Sequence, residues 1–250
     1  MKAVVILLIG LTILAGTAAA DPLMVVTEQW PPYNYAKDGE VRGVVTEIVR
    51  ATLETAGIAH EIRVYPWARA YKMAENRENV LIYSIFKLPS REQDFQWIPV
   101  SGLSTKMYLF RPRERPDIRV ETLDDARRYR IGVSRETSTH HFLLSHGFVE
   151  GLNLFPVTHE IQNAFKAAPE RHTLDLTTGD RLSLAHWLEV GGFPADYWTP
   201  VLLLFEETIY MAFGLKTDPA TVDRVRAALA AIRAEGVVDG IIRKSEAQYR

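Results

Sequence analysis

Residues 44–85 read VVTEIVRATLETAGIAHEIRVYPWARAYKMAENRENVLIYSI, and the order of patterns within this stretch decides the fold class. Val45, Ile48, Val49, Thr52, Leu53 and Ala56 recur at helical spacing, and Gly57 stands where a helix is closed by a left-handed residue. Ile62 to Val64 makes a short strand. Pro66 suits the first position of a second helix, where its missing N–H has no partner to lose, and Trp67, Ala70, Tyr71 and Ala74 follow on that helix. Val80 to Ile85 is a continuous apolar run of strand length. Working outward to the N-terminal side, Leu23 to Val26 is another buried strand. It ends at Trp30-Pro31-Pro32-Tyr33-Asn34, where two prolines forbid both helix and ladder. Strand, helix, strand, helix, strand implies a parallel sheet with helices on its faces, an α/β fold.

On the C-terminal side, Lys106 to Phe110 is extended and leads into Arg111-Pro112-Arg113-Glu114-Arg115-Pro116. This charged, proline-punctuated run is expected to be a solvated connection and the first crossing between two compact units. A second alternating series follows: strand at Arg130 to Val133, helix from Thr139 to Ser145 closed by Gly147, strand at Leu154 to Val157, helix around Ile161 to Ala167, strand at Leu174 to Thr177, helix from Leu182 to Leu188. Val201 to Phe205 and Thr208 to Phe213 are β-rich runs suited to lead the chain back. The final predicted helix has Asp218 as N-cap, Pro219 in its first turn, Val222, Val225, Leu229 and Ile232 on one face, and Gly236 at its end.

The whole chain has 250 residues, 47% hydrophobic and 24% charged, a globular composition. Its first twenty residues differ from the rest. Lys2, the apolar run Val4 to Leu14 and the small residues Ala18-Ala19-Ala20 form the pattern of a signal peptide cleaved before Asp21. The apolar run is shorter than the ~20 residues that span a bilayer and lacks a basic stop-transfer flank. Without residues 1–20 the 29 basic residues lose only Lys2, leaving 28 against 31 acidic ones and a formal charge of −3. Nothing in that balance favours nucleic acid. With no cysteine, the chain has no disulfide, no thiolate metal site, no thiol nucleophile and no lipid-anchoring cysteine.

Six segments together carry a family resemblance: Thr27 to Tyr33, Tyr65 to Tyr71, Ser84 to Trp97 around Pro89-Ser90-Arg91-Glu92, Ile131 to Ser138, Leu174 to Asp180, and the last predicted helix with Gly236. In their order and spacing the chain resembles the family 3 periplasmic solute-binding proteins, the polar-amino-acid receptors of ABC transporters. The resemblance implies a periplasmic-binding-protein-like fold of type II with two α/β lobes joined by two crossing segments. Residues 21–108 and 207–250 are expected to form lobe 1, and residues 109–206 the inserted lobe 2. It further implies a periplasmic monomer without cofactor that closes on a small amino acid or related carboxylate, with an inner-membrane ABC permease as partner.

A free amino acid presents a carboxylate and an ammonium, so its receptor needs a cation of fixed geometry and an anion facing it. By the resemblance, Arg91 grips the carboxylate and Asp180, from the second lobe, takes the ammonium, so that a zwitterion bridges the lobes and favours closure. Read from the residues alone, Arg91 is equally a surface arginine paired with Glu92 or Asp94, and Asp180 a cap for the helix that follows, with Asp175 as its competitor. Thr137 and Ser138 offer hydroxyls and N–H groups at a positive helix end, and Ser138 is also a plain N-cap candidate. Ser84 matches a ligand-binding position of the family, whereas Phe86 and Leu88 stand where the family has hydroxyls, and Glu136 where it usually has glycine. Trp30 and Trp67 match aromatics that sandwich the ligand, although tryptophan at such spacing also suits a core. Arg69 is either a side-chain selector in the cleft or a solvated helix residue.

Other classes have less support. His140, His141 and His146 share one predicted helix, but adjacent residues point about 100° apart and no carboxylate completes a ligand set, so they read as exposed. Hydrolase and phosphate-loop motifs are absent. An enzyme on the same scaffold, resembling cyclohexadienyl dehydratases, would need a general acid, for which Glu28, Glu47 and Glu136 are the candidates. A binding component of a signalling system is the third reading.

Overall fold

A computed structural model describes residues 22–158, 162 and 173–248. The expected signal peptide and most of the helix read around Ile161 to Ala167 lie outside these residues. The first parallel set is β1 (Leu23–Thr27), β4 (His60–Val64) and β5 (Val80–Ile85), with α1 (Val44–Thr55) and α2 (Trp67–Asn76) as crossovers. A hairpin of β2 (Tyr35–Lys37) and β3 (Glu40–Arg42) lies between β1 and α1. The second parallel set is β7 (Ile131–Ser134), β8 (Leu154–Val157) and β9 (Leu176–Gly179). Two long antiparallel strands, β6 (Phe95–Pro112) and β10 (Trp198–Gly214), run through both sets and give one eight-stranded sheet in the order β4-β1-β5-β10-β6-β9-β7-β8.

These two strands correct the sequence reading. The extended piece Lys106 to Phe110 is part of an 18-residue strand, and the two β-rich runs after residue 200 merge into a 17-residue one. The run Arg111 to Pro116, read as the crossing, instead ends β6 and turns. Val100 still packs in the first unit's core and Leu109 already in the second's, so the chain passes between them inside the strand. Opposite Ile209 the pairing jumps from Ser104 to Pro99, and residues 100–103 bulge out of register, with Gly102 at φ +89°.

Alternation explains the cores. Val25, Leu81 and Tyr83 face α1, while Val26, Val80 and Ile82 face α2. Ile85 joins the α2 face although alternation assigns it to the other, because Ser84 takes φ +59° and is skipped between the pairs Tyr210–Ile85 and Met211–Tyr83. A bulge therefore re-aims Ser84 at the end of its strand.

Of the remaining helices, α3 (Leu123–Ala126), α4 (Ser138–Ser145) and α5 (Arg181–Gly191) belong to the second unit and α6 (Pro219–Ala234) returns to the first. Helix α6 starts as expected, Asp218 accepting from Ala220 N at 3.1 Å. Beyond Gly236 the chain forms a further helix, α7 (Val237–Gln248), which the sequence reading lacked; Val238, Ile241 and Ile242 pack it on the first core. No helix among the described residues is long and apolar enough to cross a membrane.

Candidate functional site

Two pairs of parallel strands, β1 with β5 and β7 with β9, run in opposite directions and end at one cavity. Glu28 follows β1, Ser84 is the penultimate residue of β5, Ser134 closes β7 and Thr178 lies near the end of β9, and all four line it together with Trp30, Trp67, Phe86, Arg91, Met107 and Thr137 to Thr139. The cavity has a volume of about 50 Å³. It lies at the carboxyl ends of the strands, where α/β sheets leave a crevice.

Arg91 closes a short 3-10 turn, Pro89–Arg91, and its side chain is only 3% exposed. The surface-arginine reading fails, because Glu92 pairs with Lys87 at 2.7 Å and Asp94 accepts from Tyr71 Oη at 3.2 Å. The guanidinium instead lies 5.1 Å from the Tyr71 ring centre and 5.9 Å from that of Trp67. Nη2 donates to the Glu136 carbonyl at 3.3 Å, while Nη1 is buried without a hydrogen-bond partner. Burial pushes the guanidinium pKa down, opposed by Tyr71, Glu136, Asp94 and Glu28, and arginine stays charged at neutral pH.

Across the cavity, Glu136 has φ +61°, the conformation that makes glycine the easier residue there. Its carbonyl accepts from both Arg91 and Trp67 Nε1, the latter at 2.7 Å, which joins the two units. Helix α4 then begins, and its N-cap is Thr137 rather than Ser138: Thr137 Oγ1 accepts from His140 N at 3.4 Å and donates to Ser134 O at 2.8 Å. Ser138 and Thr139 are buried in the first turn, where N–H groups have no partner within the helix. Ser84 Oγ is likewise buried and unpartnered.

Asp180 does not line this cavity. Its Oδ1 accepts from Leu182 N and Ser183 N at 3.0 Å each and from Tyr33 Oη at 3.3 Å, and its Oδ2 accepts from Trp30 Nε1 at 2.9 Å. The capping alternative is therefore realised, and the carboxylate borders a different crevice, with Thr105, Lys106 and Arg181. Burial pushes its pKa up to about 6, against the pull of its four donors. The physical reason for this placement is Trp30, which the turn Trp30–Asn34 inserts between the units, stacked 4.3 Å from Tyr33 and edge-on to Phe86 at 5.9 Å.

Of the other expected residues, Trp67 and Trp30 wall the cavity, but Arg69 is exposed and lies 4.6 Å over the Tyr65 ring, outside it. The histidines were expected at the surface. His146 is exposed, whereas His140 is buried, accepting from Glu136 N at 3.1 Å with Nε2 2.9 Å from Glu150 Oε1. His141 is half-buried, 3.1 Å from Glu136 Oε2. Burial pushes both pKa values down. Among the described residues no group of three or more metal-ligating side chains converges. Sequence reading passed over Met107, Ser134, Thr139 and Thr178; that residues after parallel strands gather at one edge was the available signal for Ser134 and Thr178.

Comparison with known proteins agrees with this architecture. The family model described as bacterial extracellular solute-binding proteins, family 3, matches residues 23–245. Curated proteins yield no sequence match. Among solved structures, a histidine kinase sensor domain with similarity to periplasmic binding proteins superimposes with a TM-score of 0.79 at 18% identity, covering 90% of this chain and 95% of its own. The arginine-, lysine-, histidine-binding protein ArtJ of Geobacillus stearothermophilus gives 0.76 at 16% identity, with 89% and 94% covered. The GluR0 ligand-binding core of Nostoc punctiforme, in complex with L-glutamate, gives 0.73 at 17%, with 89% and 98% covered. At these identities the likeness is one of fold.

Proposed function

Because the chain belongs to family 3 of the bacterial extracellular solute-binding proteins, we propose that it is a periplasmic receptor that closes two lobes, residues 21–108 with 207–250 and residues 109–206, around a small amino acid or related carboxylate. The observation that carries this reading is Arg91, a buried cation on the cavity wall with an unpartnered Nη1, facing the first turn of α4. A carboxylate there would receive a guanidinium bond and the N–H groups of a positive helix end, contacts drawn from both units. Ser84, Thr137 and Ser138 add hydroxyls, and Trp30 and Trp67 add flat walls. A solute touching both units stabilises the closed arrangement over an open one by its differential contacts.

We assign it to ABC import as a monomer delivering solute to an inner-membrane permease, after removal of residues 1–20. The test is a thermal-shift screen of the protein against amino acids and small carboxylates, followed by calorimetry. A saturable hit that is lost in Arg91→Gln supports the reading; no hit in either class rejects it.

A second reading, a dehydratase, is favoured by one observation: of its three candidate acids, Glu28 lines the cavity, while Glu136 pairs with His141 and Glu47 borders a separate crevice near Lys244. Incubation with prephenate or arogenate separates the two, since turnover to an aromatic product would make the protein an enzyme.

A further inference from the structure

The geometry points to an anionic solute with an apolar or aromatic body and no ammonium group, a carboxylic acid rather than a zwitterionic amino acid. This rests on the binding function proposed above and narrows its substrate class. Asp180, the carboxylate that a zwitterion would need from the second unit, is engaged by four donors and lies off the cavity. The indole of Trp30, 6% exposed between Tyr33 and Phe86, holds the Oδ2 of Asp180.

What remains on the wall suits an acid. The buried polar atoms of the lining without hydrogen-bond partners are Arg91 Nη1 and Ser84 Oγ, both able to donate to carboxylate oxygens. The first turn of α4 adds positive potential from the other side. Glu28 is the one carboxylate on the lining of this cavity. Trp30, Trp67, Phe86 and Met107 share the lining, large apolar faces that take a ring or a branched chain.

The test is calorimetry on the wild-type protein with matched pairs that differ only in the amino group: 3-phenylpropanoate with phenylalanine, 3-(indol-3-yl)propanoate with tryptophan, 4-methylpentanoate with leucine, and glutarate with glutamate. The acid is expected to bind at least about tenfold tighter than its amino acid in one or more of the three apolar pairs. Phe86→Ser should then weaken that acid at least about tenfold, and unchanged affinity for it overturns the inference. An amino acid that matches or exceeds its acid in every pair overturns the inference. If Glu28→Gln then removes that preference, Glu28 is the ammonium acceptor and the binding function survives without this substrate class. Glutamate or another polar amino acid binding while no apolar acid does has the same consequence. Absence of binding by both series overturns this inference and, with a negative wider screen, the binding function as well.

Discussion

Trp30 Nε1 lies 2.9 Å from Asp180 Oδ2, a hydrogen bond that joins a turn of the first unit to the N-cap of α5 in the second, across 150 positions of sequence. It ties the units together beside the cavity and withdraws from it the acidic group that a sequence reading places there.

The pH dependence of stability should report this carboxylate. Its folded pKa of about 6 stands above its ordinary 3.8, so the folded state binds more protons than the unfolded state between those values. Stability due to Asp180 is therefore present at pH 4 and falls as pH rises through 6, by on the order of 3 kcal/mol. Denaturant unfolding of wild type and Asp180→Asn at several pH values isolates it from the histidines. The wild-type value relative to the variant should decline from pH 4 to pH 7; a flat or rising difference contradicts the buried-carboxylate assignment.

Arg91→Gln should separate binding from stability. Loss of a charged donor costs roughly 1.5–3 kcal/mol of solute binding, or about 10- to 150-fold in Kd. The solute-free melting temperature should hold or rise, because a desolvated guanidinium with one unsatisfied nitrogen has been removed. Calorimetry and scanning calorimetry on the same preparation read both quantities.

Arg69→Ala is the control. Its guanidinium stacks on Tyr65 outside the cavity, a contact worth about 0.5–1 kcal/mol at an exposed site. Affinity for any solute found should remain within about twofold; a larger change would mean that the helix carries Arg69 into the site on closure.

Ser84→Gly should stabilise the solute-free protein by about 1 kcal/mol and weaken solute binding. At φ +59° a serine holds a backbone strain that glycine does not, while the unpartnered Oγ at the cavity wall is lost. A lowered melting temperature, or unchanged affinity, would remove the functional explanation for the strain.

Gly43→Ala should be severe. Gly43 has φ +118°, and a Cβ there would sit 2.3 Å from the Tyr33 carbonyl oxygen, backbone that cannot yield without moving the Trp30–Asn34 turn. A loss of at least about 3 kcal/mol is expected in urea unfolding, with a shifted tryptophan fluorescence as Trp30 changes place.

Elements whose signals are local were legible. The bounds of β5 and β8 and the start of α6 at Asp218-Pro219 match their readings, since a continuous apolar run or a cap followed by proline acts within a few residues. The 3-10 turn at Arg91 and the left-handed backbone at Ser84 and Glu136 were not legible, because serine, glutamate and arginine carry no conformational mark comparable to glycine or proline. The long ribbon was read in pieces, since Pro99 and the bulge opposite Ile209 interrupt a pattern that pairing between strands a hundred residues apart sustains.

By itself the sequence determined the alternation of strands and helices and the family to which the chain belongs, because hydrophobic periodicity and breaker residues act over one or two turns of chain. Only the tertiary structure decided which charges share a cavity. Arg91 was left facing the first turn of α4, while Asp180 was sealed behind Trp30 and Tyr33 and His140 was drawn inside against Glu150. A side chain's ionisation and partners depend on what folding brings near it and how much water it removes, and that neighbourhood comes from residues distant in sequence.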